Sequence, residues 1–295
     1  MSHAKVSAAV TRPAAMWTLL SIAAAAWGVG GTVATADDID VTSYLPAGGR
    51  VGTTVAVTAT AKFARWPVEV WTSDAEIAVA AAEEKGKLSV AISGEATPGV
   101  YYFRLYDALG ESRLCAFVVG TSDETVEQEP NDRRSEAQLL SDSSTMINPV
   151  VINGRLEKAG DVDTFSLQLA EGQTVVAEMA AYRPLGSPMD GVLQIATPTG
   201  ALLAEQDDAP GFDPRIVFTA PEAGTYLVRT FCFPTMPDST IAFSGAPTHV
   251  YRLTVGTAPF ARFAMPHAAQ LDRIAPVAVH GWNIPPEGIA VVPTQ

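Results

Sequence analysis

Glu127-Gln128-Glu129-Pro130-Asn131-Asp132 and Gly160-Asp161-Val162-Asp163-Thr164-Phe165 bound the stretch on which the fold of this chain turns. The first hexapeptide places four hard oxygen donors within six residues. Pro130 stops a helix from continuing and biases Glu129 toward an extended backbone. The second sets Asp161 and Asp163 two positions apart, so both project from one side of an extended segment. From Thr121 to Asp132 the chain is polar, acidic and proline-bearing, which marks a boundary between two β-rich regions. The same donors, with backbone carbonyls, suit a Ca²⁺ shell of about six to eight oxygens. They also suit plain turn chemistry: Gly-Asp-x-Asp side chains accept nearby backbone N–H groups, and Asn131-Asp132 can cap the turn that follows.

Upstream, Val51-Gly52-Thr53-Thr54-Val55-Ala56-Val57-Thr58-Ala59-Thr60 alternates β-branched and small residues as a half-buried strand does. Further strands are predicted at Pro67 to Trp71, Ile77 to Ala80, Leu88 to Ile92, Val100 to Leu105 and Arg113 to Val119. Pro46-Ala47-Gly48-Gly49, Thr97-Pro98-Gly99 and Leu109-Gly110-Glu111 read as turns, and Glu83-Glu84-Lys85-Gly86 as a solvated hairpin loop. Residues 40–122 are therefore expected to form an immunoglobulin-like sandwich. Trp66 and Trp71 read as core and rim packing.

Downstream, Arg133 to Leu140 is expected to form a short helical turn. Strands follow at Val150 to Leu156, Thr164 to Leu169, Thr174 to Ala180, Gly191 to Ala196, Arg215 to Thr219, Gly224 to Cys232 and Thr248 to Val255. Residues 123–257 thus make a second sandwich, of jelly-roll type. The fold class is all-β, two β-sandwiches in tandem. In the tail, residues 258–295, Phe263-Ala264-Met265-Pro266 falls on Ser43-Tyr44-Leu45-Pro46 at an offset of 220 residues, and Pro276 to Gly281 on Ala56 to Ala61 at the same offset. That internal repeat reads as the opening of a second, incomplete immunoglobulin-like domain.

Residues 1–36 contain no acid. Lys5 and Arg12 precede an apolar run from Ala14 to about Val29, and Ala34-Thr35-Ala36 is a small-x-small cleavage site. This is the anatomy of a secretory signal peptide, with an uncleaved anchor as the rival reading. All 32 acids and 17 of the 19 basic residues lie after residue 36, a net charge of −15. Such a surface argues against nucleic acid or an anionic membrane as a partner. Cys115 and Cys232 each sit in an apolar strand of a different domain, either as two buried thiols or as a disulfide across an interface. No Gly-x-Ser-x-Gly elbow, His-Glu-x-x-His helix or phosphate loop is present, and His249 is the one histidine in a complete domain.

Taken together, Glu127 to Asp132, Ile152-Asn153-Gly154, Gly160 to Phe165, Ser187-Pro188-Met189-Asp190, Asp207-Asp208, Ala223-Gly224-Thr225-Tyr226 and Tyr251-Arg252-Leu253-Thr254-Val255 resemble the bacterial pre-peptidase C-terminal domain. The resemblance implies a non-catalytic β-sandwich appended to secreted proteases and other exported proteins. Relatives in clostridial collagenases bind Ca²⁺ through the acidic stretch before the first strand. Carried over by motif, the cation ligands are Glu127, Glu129, Asn131, Asp132, Asp161 and Asp163. The expectation is a secreted, periplasmic or cell-surface protein that is not an enzyme, a binding or spacer protein with Ca²⁺ at the joint of two sandwiches. Its rivals are an accessory segment of a secreted peptidase and an adhesin-like module for an extracellular protein or polysaccharide. Asp207-Asp208 with Asp213 reads as a loop rather than a further metal site.

Overall fold

Strict inside–outside alternation builds the first region. In a computed structural model that describes residues 39–141, 148–209, 211–234, 242–267 and 277–286, Val57 and Ala59 are buried while Ala56, Thr58 and Thr60 face solvent. The predicted leader lies outside the described residues. The strands run β1 (Asp40–Leu45), β2 (Gly48–Arg50), β3 (Thr54–Lys62), β4 (Glu69–Thr72), β5 (Ile77–Ala81), β6 (Lys87–Ile92), β7 (Gly99–Tyr106) and β8 (Cys115–Gly120). They form sheets in the orders β1-β3-β6-β5 and β2-β8-β7-β4, closed over Val57, Leu88, Val90, Phe103, Leu105 and Phe117.

Gly48-Gly49, expected as a turn, is strand β2, paired parallel to β8. The glycines serve close approach rather than chain reversal. A Cβ on Gly48 would meet the Arg252 guanidinium at 2.1 Å and the Val118 carbonyl at 2.2 Å. Trp66 is half-buried against Phe63 and donates to the Ala82 carbonyl at 2.9 Å, whereas Trp71 is half exposed.

The second region continues with β9 (Asp123–Val126), a 3-10 turn (Arg134–Glu136), β10 (Gln138–Ser141), β11 (Val150–Arg155), β12 (Asp163–Leu169), β13 (Thr174–Ala180), β14 (Asp190–Ala196), β15 (Leu202–Gln206), β16 (Arg215–Thr219), β17 (Gly224–Phe233) and β18 (Val250–Gly256). Two five-stranded sheets, β10-β12-β17-β14-β15 and β16-β13-β18-β11-β9, enclose Phe165, Leu167, Val175, Leu193, Val228 and Tyr251. The described residues are all-β apart from that one turn. The expected helical turn over 133–140 is cut short because Gln138–Ser141 pairs parallel with β12. Likewise, part of the supposed linker is a strand, β9, parallel to β11. Val150 lies beside both Asp123 and Val255, so the chain enters and leaves this sandwich at one end of its sheet. Cys115 and Cys232 are free, buried thiols in separate cores. Among the described residues no helix is long and apolar enough to cross a membrane.

The face of β18, β11 and β9 turned toward the first sandwich is polar at its centre. Arg252, 4% exposed, donates to both carboxylate oxygens of Glu124 (2.8 and 2.9 Å) and to Asn153 Oδ1 (2.8 Å). Asn153 returns its amide to Glu124 at 2.8 Å. Around this network Val250 and Leu185 join the apolar core of the first sandwich.

The last described strands, β19 (Phe260–Met265) and β20 (Ala278–Trp282), form a hairpin. Its register repeats that of β1 and β3 residue for residue. Phe260 pairs with Trp282 as Asp40 does with Lys62, and Met265 with Ala278 as Leu45 does with Thr58. The irregularity between Val41 and Ser43 recurs between Ala261 and Phe263. The hairpin is held by Asn283, which donates to the Thr174 carbonyl at 2.9 Å, and by the Arg215 guanidinium over Phe260 and Trp282.

Arg252→Ala leaves Glu124 buried without its charge partner, and is expected to lower the unfolding free energy in urea by about 3–5 kcal/mol. Replacing both partners with apolar residues of similar volume is expected to restore most of that loss.

Candidate metal centre

Strand β9 delivers the acidic segment to its place. Beyond Val126, Glu127 N–H still bonds to the Asn153 carbonyl at 3.0 Å, and the Asn131 carbonyl accepts the Thr164 N–H at 3.1 Å. The loop therefore spans from β11 to β12, across one end of the sandwich. Gly154 makes room for it: a Cβ there would lie 2.2 Å from the Tyr251 ring and 2.5 Å from Glu127 Oε2.

Carboxylate oxygens of Glu129, Asp161 and Asp163 converge within 4.8 Å of one another, a group that can hold a metal ion. Asp161 and Asp163 have no exposed surface, and Glu129 sits at the mouth. Asp163 Oδ2 accepts the Tyr251 hydroxyl at 2.6 Å, and Asp161 Oδ2 accepts the Glu157 N–H. Their other oxygens have no hydrogen-bond partner. Asn131 is fully buried too, and neither its Oδ1 nor its Nδ2 is bonded. An ammonium, that of Lys158, stands 3.9 Å from Asp161 Oδ1 and 3.9 Å from Asp132 Oδ2.

Glu127 and Asp132 flank the group. Glu127 accepts the Arg155 N–H at 2.8 Å and the Tyr251 hydroxyl at 3.2 Å. Asp132 Oδ1 accepts the Val162 N–H at 3.3 Å. Turn chemistry is thus present, yet it uses only some of the oxygens, and those on Asp161 and Asp163 that it leaves are shielded from water.

Electrostatics follow from that shielding. Burial, then the Glu127 charge, pushes the Asp163 carboxyl up to about 10. Burial likewise raises Glu127 to about 7, and raises Asp161 to about 6 with help from the neighbouring Asp132 carboxyl. Tyr251 is raised well above its usual value by burial and by the charges of Asp163 and Glu127. Near neutral pH the cluster therefore holds either protons or a cation.

Two residues of this centre carry no metal-ligand signal in the sequence. Tyr251 and Gly154 belong to the motifs quoted for the family resemblance, but only the fold reveals one as the link between Asp163 and Glu127 and the other as the space both need. By contrast, Asp213 is spent on loop structure, accepting the N–H groups of Ala181, Tyr182 and Arg183 at 2.8 to 3.0 Å. His249 Nε2 meets the Ser244 hydroxyl at 3.3 Å.

A probable subtilase-type serine protease of Deinococcus radiodurans is 36% identical over 101 residues, which make up 34% of this chain and 13% of that protein. The chain so spans a small part of the protease it matches. Among solved structures, a mixed-linkage glucan-binding protein of Bacteroides ovatus covers 75% of this chain and 74% of its own, at 9% identity and a TM-score of 0.23. A carbohydrate-binding module of the β-sandwich superfamily covers 75% and 96%, at 13% identity and a TM-score of 0.22. The model of the bacterial pre-peptidase C-terminal domain matches residues 161–230, from the second acidic hexapeptide through most of β17. The second sandwich of this chain carries a bacterial pre-peptidase C-terminal domain, a non-catalytic accessory module.

Proposed function

We propose that this chain is an exported, non-catalytic binding or spacer protein whose second sandwich binds Ca²⁺. One observation supports this most: buried Asp161 and Asp163 each keep an oxygen without a hydrogen bond, and the buried Asn131 amide has none either. Three carboxylate oxygens within 4.8 Å of one another suit a hard divalent ion, and a buried amide oxygen adds a further hard donor. Glu129, Asp161, Asp163 and Asn131 Oδ1 are the direct ligands in this reading. Glu127 and Asp132 complete the set through their more weakly held oxygens. Bound Ca²⁺ ties the loop after β9 onto the loop before β12. Because β9 also carries Glu124, which Arg252 grips beneath the first sandwich, the ion stiffens the joint from the far end of the same strand.

A second reading has an observation of its own. The match to the Deinococcus protease favours an accessory segment of a secreted peptidase. A catalytic domain encoded in continuity with this segment would favour that role over a free-standing spacer.

Calorimetric titration of the purified protein with CaCl₂ is expected to show saturable binding. Asp161→Asn with Asp163→Asn is expected to weaken it by about two orders of magnitude, equivalent to about 2.7 kcal/mol. Equal heats from both proteins, or none from the wild type, would remove the metal.

The pH dependence has a definite sign. The folded, metal-free cluster holds protons more tightly than the unfolded chain, so the stability this confers is present in acid and lost as pH rises through the folded values of about 6, 7 and 10. In chelator the melting temperature is expected to fall over that window. Added Ca²⁺ is expected to abolish the fall and to release protons on binding, seen as a buffer-dependent enthalpy.

A further inference from the structure

On the outer face of sheet β10-β12-β17-β14-β15 lies a feature of opposite sign. Arg229 of β17 stands between Thr164 of β12 and Gln194 of β14, away from the core that its neighbour Val228 enters. Its guanidinium donates to Gln194 Oε1 at 3.1 Å, and Gln194 passes its own amide to Glu205 at 2.6 Å. Arg229 Nε is buried with no partner. Arg134, which opens the 3-10 turn, reaches across to the Thr199 carbonyl. The turn at Thr197–Gly200 is shaped to receive it: Gly200 has φ +95°, and a Cβ there would lie 1.5 Å from the Arg134 guanidinium. Arg134, Gly200 and Arg229 line a cavity of about 590 Å³ with Asp132, Arg133, Ser135 and Pro198.

Two guanidiniums are thus held against one cavity by uncharged carbonyl oxygens. Among the described residues neither has an acidic partner within ion-pair distance. The carboxylate in the lining, Asp132, is turned to Val162 N–H and Lys158. Burial and the charge of Arg134 both push the Arg229 pKa down, as like charges without a counterion require. In a chain of net charge −13, such an arrangement is not a by-product of a basic surface.

We propose that Arg134 and Arg229, with the Ser135 hydroxyl, bind an oxyanion group, a carboxylate or a sulfate. A guanidinium presents paired N–H donors at the spacing of two oxyanion oxygens, and the Arg229 Nε–H is one such donor, desolvated and without a partner. The site goes beyond the cation reading and does not depend on it. The acidic loop forms a wall of both, with Asp132 at the division.

The test follows the Arg Nε–H resonances of the purified protein during titration with sodium sulfate and, separately, sodium acetate, with chloride holding ionic strength constant. A saturable shift at Arg229 is expected with at least one of them, and which one distinguishes a tetrahedral from a planar group. Arg229→Gln and Arg134→Gln are each expected to weaken binding about tenfold or more, with Arg65→Gln, an exposed arginine of the first sandwich, unchanged. Arg134→Lys, which keeps the charge and loses the fork, is expected to fall between. If Arg229→Gln fails to fold, the exposed Arg134 carries the decision. Shifts that rise linearly with salt, or equal affinity in wild type and Arg134→Gln, would overturn the site. Titration in chelator separates the two proposals, because loss of the cation must leave the anion response in place.

Discussion

Carboxylates placed out of reach of water must find positive charge, and two groups of them organise this molecule. Glu124 finds it within the chain, in the fork of Arg252, and Asn153 completes the pair by bonding to both. Asp161 has an ammonium 3.9 Å away, and Asp163 has the Tyr251 hydroxyl. The difference is one of geometry: Glu124 and Arg252 meet on a sheet face covered by another sandwich, while the acidic cluster closes a sheet end. A buried ion pair satisfied by protein atoms is fixed once folding is complete. A buried cluster left unsatisfied responds to what the solvent contains.

β18 links the two. Val250 packs in the first sandwich's core, Tyr251 turns inward to Asp163 and Glu127, and Arg252 turns outward again to Glu124. Three consecutive residues, alternating as a strand dictates, thus touch the neighbouring core, the acidic cluster and the buried ion pair. The same alternation explains why β9 serves both, with Glu124 on one side and the chain beyond Val126 bending into the loop.

Much of this was legible in the sequence, for reasons that can be stated residue by residue. Strands with a buried face, such as β3, β6 and β12, announce themselves through period-two apolar residues. Asp161 and Asp163 stood out because paired acids before a strand are unusual. What escaped was written in residues whose meaning depends on a distant partner. Asp123-Glu124-Thr125 is too polar to suggest a strand until Arg252 and β11 lie beside it. Gly48-Gly49 spells a turn locally, yet the glycines are there because Arg252, Val55 and Ile92 fill the space a side chain would need. β15 is half exposed along its length, so it lacks the alternation that marks the others. Arg134 is unremarkable in sequence, and only Gly200, 66 residues on, shows that its position is built.

The sheet order places Asp123 and Val255 on either side of Val150. A path drawn from β8 to β19 therefore comes back almost to where it entered, and the 130 or so residues between add little to its reach. The second sandwich therefore stands beside the thread, and Val250, at the end of β18 away from that root, is seated in the core of the first sandwich. Tension along the thread would fall first on the turns at the root, while the contacts of Val250 and Arg252 keep the two sandwiches side by side.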